Sequence, residues 1–202
     1  MIRKIVLTAI ALVSLTVNVQ AGISEDVVKE SIVKHSMEMG VDPALALSIA
    51  KKESGFKHEL KSPYGAVGVF QVLPSTAKKI GYNPYYLNEN IKAGLTYYKM
   101  MYKMFGSTEL ALAAYNAGPG NVKKYGGTIP PFRETKRFVN VIMQDYQHFK
   151  NNPDPAIAKY HKKTSIAPEK EVEINNTTKP IDLPDLTEIP ETREVENSME
   201  IL

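Results

Sequence analysis

The chain has 202 residues, a net charge of +3 at pH 7, no cysteine and no tryptophan. Its apolar content is ordinary, so one folded domain with extensions is expected. The absence of thiols excludes disulfides, a cysteine nucleophile, a cysteine-ligated zinc and the attachment point of a bacterial lipid anchor.

The first stretch is a targeting pattern. Arg3 and Lys4 precede a mostly apolar run over 5–19, and Val19-Gln20-Ala21 puts small residues at both recognition positions. This predicts a secretory signal over 1–21, cleaved after Ala21, and a soluble mature protein in the periplasm. A retained membrane anchor is the competing reading, for which the run is short. Residues 23–39 then read as a helix, opened by Ser24 with Glu25 and Asp26 in its first turn and closed by Gly40.

A second helix is predicted over 42–56. Asp42 is a natural N-cap, Pro43 loses nothing at the first helical position, and Gly55 supplies the stop. Leu45 and Ile49 share a face at i, i+4, and Glu53 continues it. A carboxylate therefore occupies a position where the pattern asks for an apolar residue. An acid held against apolar surface loses hydration of its charged form, so its pKa rises; one tuned toward about 6–7 can donate a proton at neutral pH. The plainer alternative is a helix-end Glu turned to water or paired with a lysine.

Residues 57–70 show no sustained helical period and contain Pro63, Gly65 and Gly68, so they read as loop, with a short extended piece over 67–70. Pro74 opens a short helix to about residue 80. Asn88 or Asn90 caps a longer one to about Phe105, with Ile91, Leu95, Tyr98, Met101 and Tyr102 as its apolar stripe. Thr108 caps a helix over 109–116. Residues 117–131, rich in Gly and Pro, read as loop. A last helix covers 134–149, with Phe138, Ile142 and Tyr146 at i, i+4, i+8. Strand signals are scarce, so an all-α body over 22–150 is predicted. From 151 to 202 there are eleven acidic and six basic residues, net −5, with six prolines and no glycine; the preceding part is net +8. The stretch 151–202 reads as a disordered acidic tail, or as a docking segment that orders on a partner.

Four local patterns follow one another in the body. They are Glu53-Ser54-Gly55-Phe56; Ser62, Gly65-Ala66, Gly68, Gln71, Pro74 and Thr76-Ala77; Ala114-Tyr115-Asn116-Ala117-Gly118-Pro119-Gly120; and Glu134-Thr135 with Phe138-Val139. Gly65 and Gly68 allow backbone to approach a ligand or the Glu53 helix. Gln71 carries an amide that can donate and accept to sugar groups, or merely meet solvent. Tyr115 and Asn116 end a helix facing a Gly-rich loop, which suits a groove wall, although Tyr115 also suits a core. Glu134 opens a helix, where the dipole favours a carboxylate, so a cap is its natural structural role.

Together these motifs resemble the lytic transglycosylases of the soluble-lytic-transglycosylase type, relatives of goose-type lysozyme, over roughly 23–149. The resemblance implies a lysozyme-like multi-helix domain in which Glu53 is the single acid/base. Ser62, Gln71, Tyr115 and Asn116 fall on cleft-lining positions, and Glu134 on a supporting hydrogen-bonding position. Phe138 departs from the family, which usually has Tyr there, and Pro130-Pro131 is doubled before the Glu-Thr motif. The implied substrate is the peptidoglycan glycan strand and the implied product a 1,6-anhydromuramyl end. The basic body suits that anionic polymer. A hydrolytic muramidase on the same fold and a non-catalytic wall-binding assembly protein are the alternatives. No cofactor is expected, and His35, His58, His148 and His161 lack metal-ligand spacing. A nucleic-acid partner is not expected. By analogy, a small exported enzyme with a tail suits a secretion, conjugation or pilus apparatus, whose components the tail would dock.

Overall fold

The computed structural model describes residues 23–166. Among them are eight helices: α1 (Glu25–Glu38), α2 (Pro43–Ser54), α3 (Pro74–Lys79), α4 (Leu87–Phe105), α5 (Thr108–Ala117), α6 (Pro119–Lys124), α7 (Arg133–Asn151) and α8 (Pro155–Ile166). The only β pairing among the described residues is two isolated antiparallel bridges, Lys61 with Val67 and Val67 with Val72. The all-α expectation holds. The expected signal over 1–21 lies outside the described residues.

α2 is the central helix. Its residues from Ala44 to Ala50 are all buried, so it has no solvent face there. It packs on α7 and α1; α4 packs on α5 and α1; α5 packs on α7 and α6. The sequence reading of one apolar face on α2 was therefore too narrow. Ser48 tolerates complete burial because its hydroxyl donates back to Ala44 O at 2.7 Å.

Four features differ from the sequence expectation. Asn88 and Asn90 do not cap α4, which begins at Leu87; Asn90 is fully buried and serves a loop instead. Ser107, not Thr108, caps α5, accepting from Leu110 N. The Gly- and Pro-rich stretch after Ala117 is not all loop, because Pro119 opens α6 and Val122 is driven fully into the core. Tyr102, placed on the apolar stripe of α4, is 46% exposed.

The sequence reading put residues 155–166 in the tail, but they form α8. Asp154 accepts from Ala156 N and begins α8, which lies on α1. Ala156 is buried, Lys29 pairs with Asp154 at 3.3 Å, and Lys159 pairs with Glu30. Burial alone would lower the Lys29 ammonium, but its hydrogen bonds to Glu25 and Asp154 hold it above the usual lysine value. The prolines and net charge of the whole stretch masked this Asp-Pro helix start. Residues 167–202 lie outside the described residues.

Asp42 ties α2 to α7. One carboxylate oxygen accepts from Ala44 N at 2.9 Å, capping α2. The other accepts from Tyr146 Oη at 2.9 Å and Lys150 Nζ at 3.0 Å, both on α7. Partial burial alone would raise the Asp42 carboxyl; the hydrogen bonds from Lys150, Ala44 N and Tyr146 outweigh it and hold it below the usual carboxylate value. A depressed carboxyl stabilises the fold above its unfolded pKa, and that contribution disappears as pH falls through the folded value. Asp42→Ala should therefore cost about 1–2 kcal/mol near pH 7 through loss of the cap and its partners. In urea melts the gap to wild type should shrink as the pH drops below about 4.

Candidate active site

The site is built from the C-terminal end of α2 outward. Gly55 ends that helix in the left-handed region at φ 59°, donating to Lys51 O. Phe56 follows it there at φ 65°, although it is not glycine. Such a conformation costs about 1–3 kcal/mol and must be held by its surroundings. Phe56 is buried, with Lys29 Nζ 4.9 Å from the centre of its ring. The two left-handed residues turn the chain away immediately after Glu53 and Ser54. Glu53 is half-buried, and its Oε1 is sealed from solvent.

Ser54, next to it, is buried, and its hydroxyl donates to Val69 O at 2.9 Å. That bond fixes the end of α2 to the loop carrying Gln71. The loop backbone is held from two further helices. On α4, Asn90 accepts from Phe70 N at 2.9 Å and donates to Val67 O at 2.8 Å and Pro84 O at 3.0 Å. On α5, Tyr115 Oη donates to Phe70 O at 2.8 Å. Phe70 is fully buried against Gly94, where an added Cβ would fall 2.4 Å from the Phe70 side chain.

Gln71 is itself left-handed at φ 46° and is 6% exposed. Its amide nitrogen donates to Gly68 O at 2.8 Å and Leu60 O at 3.1 Å. Both donors are thus used inside the loop, and its oxygen is what remains to accept from a ligand. Gly68, at φ 77°, approaches the Asn90 side chain rather than the Glu53 helix; a Cβ there would come within 2.4 Å of the Asn90 amide.

Ser54, the residue after Glu53, meets Gln71 and Tyr115 on one short backbone run. The structure treats the other predicted residues differently. Ser62 closes the turn before the loop, its hydroxyl accepting from Ala66 N at 3.0 Å. Asn116 is 1% exposed and accepts from Thr135 Oγ1 at 2.8 Å, tying α5 to α7 inside the core. Glu134 is exposed in the first turn of α7. Phe138 is buried, stacked on Tyr115 with centroids 6.4 Å apart. A hydroxyl at position 138 would have needed a partner in that dry place. Sequence reasoning missed Asn90 and Thr135 as positioning groups, and Ser54 as the pin between helix and loop. The signal for Asn90 was a polar residue one turn before Gly94 on a helix face that is otherwise apolar.

A profile described as the transglycosylase SLT domain matches residues 30–136, a stretch that contains all six predicted site residues. The soluble lytic murein transglycosylase of Salmonella typhimurium is 35% identical over 136 residues, 54% of this chain and 21% of that protein. The chain thus spans about a fifth of that relative's length. Among solved structures, the 70-kDa soluble lytic transglycosylase of Escherichia coli is similar at a TM-score of 0.53 and 29% identity, covering 62% of this chain and 25% of that one. An inactive Glu-to-Gln mutant of lytic transglycosylase Slt from Pseudomonas aeruginosa is similar at 0.54 and 26%, with coverage of 62% and 25%.

Asn90→Ala should cost about 3 kcal/mol or more, since Phe70 N and Pro84 O each lose a buried partner worth roughly 1–3 kcal/mol and Val67 O keeps only Val72 N. Denaturant melts would measure it. A loss under about 1 kcal/mol would mean that water replaces the amide.

Proposed function

Because the chain belongs to the transglycosylase SLT domain family, we propose that it is a peptidoglycan lytic transglycosylase with Glu53 as its only acid/base. The observation that carries the reading is the placement of Glu53. It is a half-buried carboxyl with one oxygen sealed, set beside a serine that is bonded to the loop of Gln71. Taking a carboxyl oxygen out of water favours the protonated form, which donation near neutral pH requires. The named activity of the relatives supports the substrate class.

The chemistry follows from one proton moving out and back. Glu53 gives its proton to the oxygen between N-acetylmuramic acid and N-acetylglucosamine, and the bond from that oxygen to muramyl C1 breaks. Positive charge builds at the muramyl ring, as in other glycoside cleavages. The Glu53 carboxylate then removes the proton of the muramyl C6 hydroxyl, whose oxygen closes onto C1. The products are a 1,6-anhydromuramyl end and a free N-acetylglucosamine end, Glu53 is protonated again, and no water is consumed. Tyr115 acts through the loop by holding Phe70 O, and Gln71 offers its amide oxygen to a sugar hydroxyl. Ser62 and Glu134 border the cleft, while Asn116 steadies the start of α7 through Thr135. The export signal over 1–21 would deliver the enzyme to the periplasm. The tail beyond α8 then bears on its service to an envelope-spanning secretion, conjugation or pilus apparatus.

Digestion of purified wall, followed by product masses, tests the chemistry. The wild type should yield muropeptides one water lighter than hydrolysed ones, and Glu53→Gln should lose activity by about 10²–10⁴-fold. Hydrated ends would instead identify a muramidase. Unchanged cleavage by the Gln variant would remove Glu53 from the reaction, and an inactive wild type would leave a wall-binding protein.

A further inference from the structure

A groove of about 1160 Å³ opens near the first turn of α2, where Leu45 lines it. Glu53 lies eight residues further on, about 12 Å along the helix, and none of the predicted site residues lines this groove. Tyr82, Tyr98, Tyr102 and Tyr146 do. Tyr98 and Tyr102 stand one turn apart on α4 with ring centroids 6.2 Å apart, the buried Tyr98 backing the exposed Tyr102.

The rim of the groove is electropositive. Lys92, Lys99 and Lys103 follow the same helix. Lys99 Nζ donates to Met39 O at 2.7 Å, while Lys92 and Lys103 form no ion pair among the described residues. The carboxylates at the groove already have counter-groups. Lys150 and Tyr146 answer Asp42, and Lys34 and His35 answer Glu38.

The same chain carries a segment of complementary character. Beyond Ile166 there are ten acidic and three basic residues. Asp182, Asp185, Glu188, Glu191 and Glu194 recur at every third position, and Leu183, Leu186 and Ile189 follow at the same period. Pro184 and Pro190 share the remaining set with Thr187. Three residues per turn is the period of polyproline II, which would gather the acids on one ridge and the aliphatic residues on another. Aromatic-lined grooves take up such strands with little loss of chain entropy. The 13 residues between Ile166 and Pro180 reach up to about 45 Å when extended. That exceeds the diameter, on the order of 37 Å, of a globule of this length.

We propose that residues 180–194 dock within their own chain into the tyrosine-lined groove. The aliphatic ridge and prolines lie on the exposed Tyr102 and beside Tyr82, and the acidic ridge lies over Lys92 and Lys103. The occupied groove leaves the Glu53 end of α2 open, so docking governs which partners reach this face without blocking the cleft. The inference stands apart from the activity proposed above.

Because the chain has no cysteine, Thr187→Cys in the full-length protein provides a single attachment point for a nitroxide. Paramagnetic broadening should erase the amide signals of Lys99, Tyr102 and Lys103. Those signals should return with Lys92→Glu plus Lys103→Glu, and also with the surface change Tyr102→Ser. They should vanish again when Asp182→Lys, Asp185→Lys and Glu188→Lys are added to the double glutamate variant. Broadening that is absent, lies elsewhere, or ignores the charge reversals overturns the proposal. So does broadening that passes undiminished to isotope-labelled molecules lacking the nitroxide, which would place the contact between chains.

Discussion

The backbone of residues 67–71 satisfies only part of itself, through Gln71 N with Gly68 O and Val67 with Val72. It has no strand ladder beyond two isolated bridges, yet its residues are buried, and buried peptide groups without partners are costly. Side chains supply what a sheet would have supplied. Ser54 from α2, Asn90 from α4 and Tyr115 from α5 each bond a different group of that run, and Gln71 folds back on it from within. The relative position of three helices is therefore set through five residues of irregular chain. The carboxyl of Glu53 inherits that precision, being one residue from Ser54, and sites held by rigid elements are more exact than sites on free loops.

The burial of α2 explains why a carboxylate can sit only in its last turn. The helix is surrounded from Ala44 to Ala50, so a polar side chain within that stretch needs an internal answer, as Ser48 has. At Glu53 the helix emerges far enough for the residue to be only half-buried, while its Oε1 is sealed. The left-handed turn at Gly55 and Phe56 ends the helix at this point. The strain of Phe56 is borne by burying its ring.

Most of the helices were legible because their starts and stops are local. Asp42-Pro43 and Gly55 mark α2 through capping and backbone freedom, and the structure uses all three in that way. What was hidden depended on tertiary partners. Asn90 resembles a cap in the sequence; only the arrival of residues 67–70 shows that its amide is a clamp. Gln71 reads as a ligand-facing amide, but two carbonyls of its own loop take its donors. Asn116 reads as a groove residue, and its bond to Thr135 across α5 and α7 puts it inside. α8 was obscured because composition averaged over a long window gives no weight to one aspartate before one proline.

The meeting of α1 and α8 bears on how the fold is completed. The first and last described helices are joined by Lys29 with Asp154 and by Glu30 with Lys159. α1 can settle on α2 and α4, but its remaining flank stays uncovered until α8, more than a hundred residues further along the chain, arrives. Closing so wide a loop is entropically slow relative to local helix formation. The folding chain must therefore pass through a stage with one side of its opening helix bare, and it is then most exposed to proteases and to other chains.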